Sequence, residues 1–225
     1  LQDSLERIES ADLLRVRRAQ LLGADEDAAP EIAIERGLLT LRIYQLTGDE
    51  AELDRAREIF ERAAARPATA AWGHYGRARV LLERAALDEQ KGGFVLGTVF
   101  ARALGMDPRT QAREALRRAL QLDPSLAEAA ALLADRAAES GNIGELRDAR
   151  DALRRTWNAG GRAFAVALAL AHVELTLGDL QAAAAAADTA LALAHLPGGD
   201  SAAALHARAL TSLLQPGHER LGSEA

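Results

Sequence analysis

A recurring order of small and large residues at spacings of four and three is the feature that most constrains the fold of this chain. It occurs at Ala56, Phe60 and Ala63 and at Ala112, Leu116 and Ala119, and a third set, Ala183, Ala187 and Ala190, repeats the spacing with Ala in the middle. Residues four and three apart share one face of an α-helix. The pattern therefore predicts helices that a neighbour approaches closely at the small residues, while the large residue fills the gap between helical pairs.

Three glycine turns divide the sequence into helical pairs. The turns are Gly48-Asp49, Gly141-Asn142 and Gly178-Asp179. Glycine readily adopts the left-handed conformation that ends a helix, and the Asp or Asn that follows suits the N-cap of the next helix. Each unit is therefore predicted to be a helix, a tight turn and a second helix.

The order of residues within these units resembles the tetratricopeptide repeat (TPR) family. Trp72, Tyr75 and Gly76 open a first helix with an aromatic, a large and a small residue, and Pro67 and Pro124 close second helices. The family repeat of about 34 residues has the pattern W-x2-L-G-x2-Y, then A-x3-F, then P. The resemblance implies an all-α fold, a right-handed α-solenoid of TPR-like helical hairpins with one insertion.

The resemblance covers residues 1–225 as a single TPR-like domain. The predicted parts are a leading helix at 3–22, repeats at about 34–67, 69–124, 127–160 and 164–197, and a closing helix at 201–214. The second repeat is longer than the family pattern, because an insertion at about 85–109 interrupts it.

A second, faint resemblance concerns the origin of the chain. The Trp-Gly-His-Tyr-Gly opening, and the insertion that ends in Gly105-Met106-Asp107-Pro108, resemble repeat regions of bacterial GWxTD-domain proteins, although the motif that defines that family is not present. Lys91 is the only lysine, and this arginine bias is typical of a high-GC bacterial genome. We expect a bacterial protein of the cytoplasm or periplasm. Because the first residue is Leu1, we also expect a trimmed chain from which a leader or a further domain has been removed.

Composition excludes several classes of function. The formal net charge of −6 argues against binding to nucleic acid or to an anionic lipid surface. The chain has no cysteine, and its longest apolar run, 94–101, is far shorter than the roughly 20 residues that span a bilayer. Its five histidines show no spacing typical of a metal site. We expect no membrane span, no metal and no cofactor.

The resemblance also implies a binding surface, because first helices of TPR proteins line a concave groove that accepts a peptide or a partner helix. The repeat register predicts that this groove contains Glu35, Leu38, Arg42, Arg77, Asp135 and His172. One interpretation is that Arg42 and Arg77 bind a carboxylate of a partner. The alternative is that both arginines pair with Glu35, Glu128 or Asp135 and only solvate the groove. The Lys and Asn pattern with which chaperone-binding members of the family hold a C-terminal carboxylate is missing.

The insertion carries Phe94, Val99 and Phe100 in a glycine-rich stretch that matches no nucleotide-binding loop. These side chains either form a contact for a partner or fold back onto the helices. The primary functional hypothesis is a non-catalytic protein–protein interaction or scaffold module whose partner is unknown. The alternative is a ligand-binding accessory subunit in which the insertion covers a small-molecule pocket.

Two further expectations complete the hypothesis. The chain has no G-x-S-x-G elbow and no other visible catalytic constellation, so we expect that it is not an enzyme. The alanine-rich helices at 181–194 and 201–214 suggest a homodimer, because thin alanine faces allow close packing between two copies.

Overall fold

The computed structural model describes residues 10–21, 29–91, 107–194 and 201–214. Regular structure in these ranges is entirely α-helical, which confirms the all-α class. The helices are α1 (Ala11–Gln20), α2 (Glu31–Thr47), α3 (Glu50–Ala64), α4 (Ala70–Gln90), α5 (Pro108–Leu122), α6 (Ala127–Ser140), α7 (Ile143–Asn158), α8 (Phe164–Thr176), α9 (Leu180–Leu193) and α10 (Ser201–Leu214). They belong to two compact units, Leu1–Asp123 and Pro124–Ala225. The first unit contains α1–α5 and the second contains α6–α10.

The three predicted glycine turns are confirmed. Gly48, Gly141 and Gly178 have φ angles of 69°, 65° and 82°, in the left-handed region where a side chain is strained. The residue after each glycine caps the next helix, through a side-chain oxygen that accepts a backbone N–H. The Oδ1 atoms of Asp49, Asn142 and Asp179 accept from the backbone N–H groups of Ala51, Gly144 and Ala182, at 3.0 Å, 2.8 Å and 3.0 Å.

Packing in the first unit is centred on Phe60 of α3, which is fully buried. Consecutive helices contact one another, and α2 also contacts α4. A methyl group added at Gly37 of α2 would lie 2.6 Å from the Phe60 ring, and one added at Gly76 of α4 would lie 2.1 Å from it. The ring therefore rests directly on the backbone of two other helices. The large side chain of Phe60 therefore fills the space between helices where Gly37 and Gly76 have no side chain.

Three aromatic side chains of α2 and α4 pack in or against the core of the first unit. Tyr44 and Tyr75 are buried, with 8% and 2% of their surface exposed. Trp72 is half-buried and meets Tyr75 edge to face, with ring centroids 5.7 Å apart. Such an edge-to-face pair is a favourable geometry for two aromatic rings.

A buried carboxylate joins α1 to α3 in the first unit. The Glu52 side chain is only 4% exposed, and both of its oxygens are bonded. Arg18 Nη1 donates to Glu52 Oε2, while Arg18 Nη2 and Arg55 Nη1 donate to Oε1 at 3.1 Å and 2.9 Å. Because both oxygens have partners, the charge is tolerated inside the fold.

The second unit has a core made largely of alanine. Consecutive helices contact one another, and α8 also contacts α6 and α10. Two clusters each take one alanine from α8, α9 and α10: Ala167 with Ala190 and Ala204, and Ala171 with Ala187 and Ala207. The alanine faces of α9 and α10 are thus buried against each other within the unit. The opposite side of α10 carries Leu205, which is 57% exposed.

The predicted insertion is described only at its ends. Residues 85–90 continue α4 without a break, and Arg109 lies in the first turn of α5. Phe94, Val99 and Phe100 lie outside the described residues. The arrangement of all hairpins as one domain in a right-handed α-solenoid stays a prediction.

Candidate functional site

The predicted groove residues of α2 differ in how accessible they are. Glu35 has a side chain that is 15% exposed, and its Oε1 accepts from Arg17 of α1, with both Nε and Nη2 at 2.9 Å. Leu38 is 4% exposed and belongs to the core. Glu35 is therefore held by an arginine outside the predicted groove set, and Leu38 contributes packing.

Arg42 is half-buried and hydrogen-bonded within its own unit. Its Nη1 donates to Gln45 at 3.4 Å, and Gln45 Nε2 donates to Glu83 of α4 at 2.6 Å. This chain of contacts joins α2 to α4. Arg42 thus participates in helix packing and is less available to a partner than an exposed arginine.

Arg77 of α4 lies in a different environment. Its side chain is exposed, and within the described residues it forms no ion pair or hydrogen bond. His74, one turn earlier on α4, lies within electrostatic range of Arg77 and of Arg118 on α5. Arg118 is also exposed, and its one hydrogen bond among the described residues is to Gln121, at 3.1 Å. We call Arg77, His74 and Arg118 the basic cluster.

The electrostatics of the basic cluster follow from its composition. Burial, together with the neighbouring guanidinium groups of Arg118 and Arg77, lowers the pKa of His74 below its usual 6.5. Among the described residues no carboxylate acts on this histidine to oppose them. The imidazole is therefore neutral at pH 7, and the cluster carries the charge of its two arginines.

In the second unit the predicted residues Asp135 of α6 and His172 of α8 lie close enough to interact electrostatically, and His206 of α10 adjoins His172. All three side chains reach the surface. Burial by surrounding atoms raises the pKa of Asp135 and lowers the pKa of His172, although each group partly opposes the shift of the other. At pH 7 the pair is therefore a carboxylate beside a neutral imidazole. Within the described part of the chain neither side chain forms a hydrogen bond.

A groove that was not predicted lies on the second unit, among α7, α8 and α9. Its volume is about 390 Å³, and its lining includes Arg154, Trp157, Ala167, Leu170, Ala185 and Ala186. Trp157 also packs against the alanine core, so it is both a core residue and a surface contact. The spacing of Arg154 and Trp157, three residues apart on one helix, could have indicated a shared face.

Arg118 was not predicted either, since the repeat register considers only first helices. An antiparallel pair places the end of α5 beside the start of α4, and this would have brought Arg118 near His74. Among the described residues no group of three or more potential metal ligands is found. No helix in those ranges combines the length and the apolar character that crossing a bilayer requires.

A scan against protein-family models finds no match to the chain, and a search of curated proteins finds no significant match.

Proposed function

We propose that the chain is a non-catalytic protein-binding module, a TPR-like scaffold that binds an acidic segment of a partner protein. The observation that carries this proposal is the basic cluster of Arg77, His74 and Arg118. Two exposed guanidinium groups lie near a partly buried imidazole, and within the described residues neither arginine forms an ion pair. Several other exposed arginines of the first unit do have acidic partners, such as Arg55 with Glu52 at 2.9 Å and Arg109 with Glu89 at 2.7 Å.

The energetics of the cluster favour an anionic ligand. Like charges that share a surface repel, and a carboxylate placed between them removes that repulsion. A hydrogen bond to a charged group contributes about 1.5–3 kcal/mol, and an arginine can bind a carboxylate through two parallel bonds. Because the whole chain carries a net charge of −6, an acidic peptide is not attracted to its surface in general. Binding is expected to be confined to the cluster.

The Asp135–His172 pair supports a second contact in the other unit. Both groups are partly desolvated by their neighbours, and neither makes a hydrogen bond within the described residues. A polar group that has lost water without gaining a partner gains more from a ligand hydrogen bond than a fully solvated group does. We expect a donor from the partner at Asp135.

The proposal is tested by fluorescence anisotropy with a labelled Glu-rich peptide and its Gln counterpart. We expect the Glu peptide to bind and the Gln peptide to bind at least about tenfold more weakly. The Arg77→Glu/Arg118→Glu variant should lose binding of the Glu peptide. Its control is Arg57→Glu/Arg62→Glu, which makes the same charge change on exposed residues of α3.

If both double variants lost the same affinity for the Glu peptide, the loss would be due to the change in net charge, which would contradict a local site. Equal binding of the Glu and Gln peptides would contradict an acidic partner. If only Arg77→Glu/Arg118→Glu loses affinity for the Glu peptide, the wild type and both variants can be used in pull-downs from a bacterial lysate. The natural partner would be the protein that binds the wild type and the control variant and is absent from the Arg77→Glu/Arg118→Glu sample.

Homodimerisation through the C-terminal helices is a separate proposal. Because the alanine faces of α9 and α10 pack together inside the unit, a second copy would have to use the outer side of α10, where Leu205 is exposed. Sedimentation of the wild type and of Leu205→Glu tests it, since a dimer through this face should dissociate in the variant and a monomeric wild type would contradict it.

A further inference from the structure

The groove among α7, α8 and α9 has the size and the lining of a small-molecule site. Its volume of about 390 Å³ lies within the roughly 300–1,000 Å³ that such sites occupy. Leu170 and three alanines provide an apolar surface, and Trp157 adds an aromatic ring. Alanine at Ala167, Ala185 and Ala186 keeps the space open that larger side chains would fill. A flat apolar group would therefore fit against Trp157.

An ion pair at the groove determines which charge a ligand meets. The Glu174 side chain is 2% exposed, and its Oε1 accepts from Arg154 Nη2 at 2.5 Å. Its other oxygen, Oε2, is buried and has no hydrogen bond among the described residues. Arg154 is 50% exposed and lines the groove. The accessible member of the pair is thus the cation.

The buried carboxylate also prepares the arginine for binding. Glu174 holds one nitrogen of the guanidinium group, which restricts the rotation of a side chain that would otherwise lose considerable entropy on binding. The other guanidinium N–H groups of Arg154 form no hydrogen bond within the described residues. A guanidinium fixed at one nitrogen and unoccupied at the others is a preorganised site for an anion.

We propose that this groove binds a small aromatic carboxylate, whose acid group pairs with Arg154 while its ring lies against Trp157 and the alanine surface. A cationic ligand is disfavoured, because Glu174 is covered and Arg154 would repel it. This proposal goes beyond the partner-binding function, since it uses second helices α7 and α9 and is independent of the basic cluster in the first unit. Failure of either proposal leaves the other standing.

The test uses Trp157 as its own reporter in a Trp72→Phe background, which leaves one tryptophan in the chain. The probes are 3-phenylpropionate and its neutral amide, 3-phenylpropionamide, neither of which is excited at the wavelength used for tryptophan. We expect a saturable change of Trp157 fluorescence with the carboxylate and binding at least about tenfold weaker with the amide. No saturable change with 3-phenylpropionate, or equal affinity for the two probes, would overturn the proposal.

Two variants locate the binding. Ala185→Leu fills the groove from an exposed position of α9, so the fold should persist while the affinity falls about tenfold or more. Arg154→Gln/Glu174→Gln removes the charge pair without leaving a buried carboxylate alone, and it should abolish the preference for the carboxylate over the amide. The matched control is Arg155→Gln, at the neighbouring exposed arginine of α7. Unchanged binding in Ala185→Leu, or a loss in Arg155→Gln equal to that in the paired variant, would place the ligand elsewhere and refute the assignment.

Discussion

Replacing Gly76 with alanine should destabilise the first unit, although alanine is the better helix former. An alanine Cβ at this position would lie 2.1 Å from Phe60 Cδ1 and 2.2 Å from Cε1. Favourable carbon contacts lie at about 3.5–4.0 Å, so the ring would have to move by roughly 1.5 Å. Phe60 is fully buried and also rests on Gly37, which leaves it little room to move.

The expected magnitude is the difference between two opposing effects. Overpacking a well-filled core costs about 1–3 kcal/mol, and exchanging a helical glycine for alanine gains about 0.5–1 kcal/mol. Because the contact is so short, we take the upper end of the cost and expect a net loss of about 2 kcal/mol. For a unit of this size that corresponds to roughly 8 °C in Tm.

The assay is thermal and urea unfolding in a Trp157→Phe background, where Trp72 of α4 reports on the first unit alone. Phe60→Leu provides the second arm of a double-mutant cycle, because the shorter side chain withdraws from position 76. We expect Gly76→Ala to cost close to nothing in that background, a coupling of at least about 1 kcal/mol. The control is Gly144→Ala in the second unit, followed through Trp157 in a Trp72→Phe background. An added methyl there meets only Asn142 Oδ1 at 3.1 Å, so the change should be neutral or slightly stabilising. A rise in Tm for Gly76→Ala, or a cost unchanged by Phe60→Leu, would refute the packing argument.

Three further predictions address charged groups. Burial raises the pKa of Asp135 above 3.8, so at pH 7 its carboxylate is less favourable in the folded protein than in the unfolded chain. Asp135→Asn should therefore raise the Tm at pH 7. The gain should vanish near pH 3, where the carboxyl group is protonated in both the folded and the unfolded protein. Glu52→Ala should destabilise the first unit by about 2 kcal/mol in urea, since Arg18 loses a buried partner, while the exposed Glu58→Ala should change little; equal effects would contradict this. An acidic peptide bound at the basic cluster should raise the lowered pKa of His74, so affinity should increase as the pH falls from the pKa of the bound state towards the lower pKa of the free state. His74→Gln should remove that dependence in anisotropy titrations.

The candidate site was only partly predictable. The repeat register assigns Asp135 and His172 to first helices, and in the structure the two side chains lie within electrostatic range of each other. That they line a binding groove stays a prediction. The register could not distinguish Arg42 from Arg77, since both are arginines on first helices. Their difference arises from neighbours distant in sequence: Gln45 and Glu83 join the Arg42 region to α4, whereas no acidic residue reaches Arg77 within the described residues.

The sequence by itself determined the local structure of this protein. Gly48, Gly141 and Gly178 end helices and the Asp or Asn after each begins the next, because both effects depend on backbone geometry within a few residues. The tertiary structure alone decided which charges are neutralised. Glu174 is covered and Arg154 exposed, for example, although both are charged residues of helices, because burial and pairing depend on how one helix packs against others. Periodicity identifies the face of a helix, and only packing decides what that face meets.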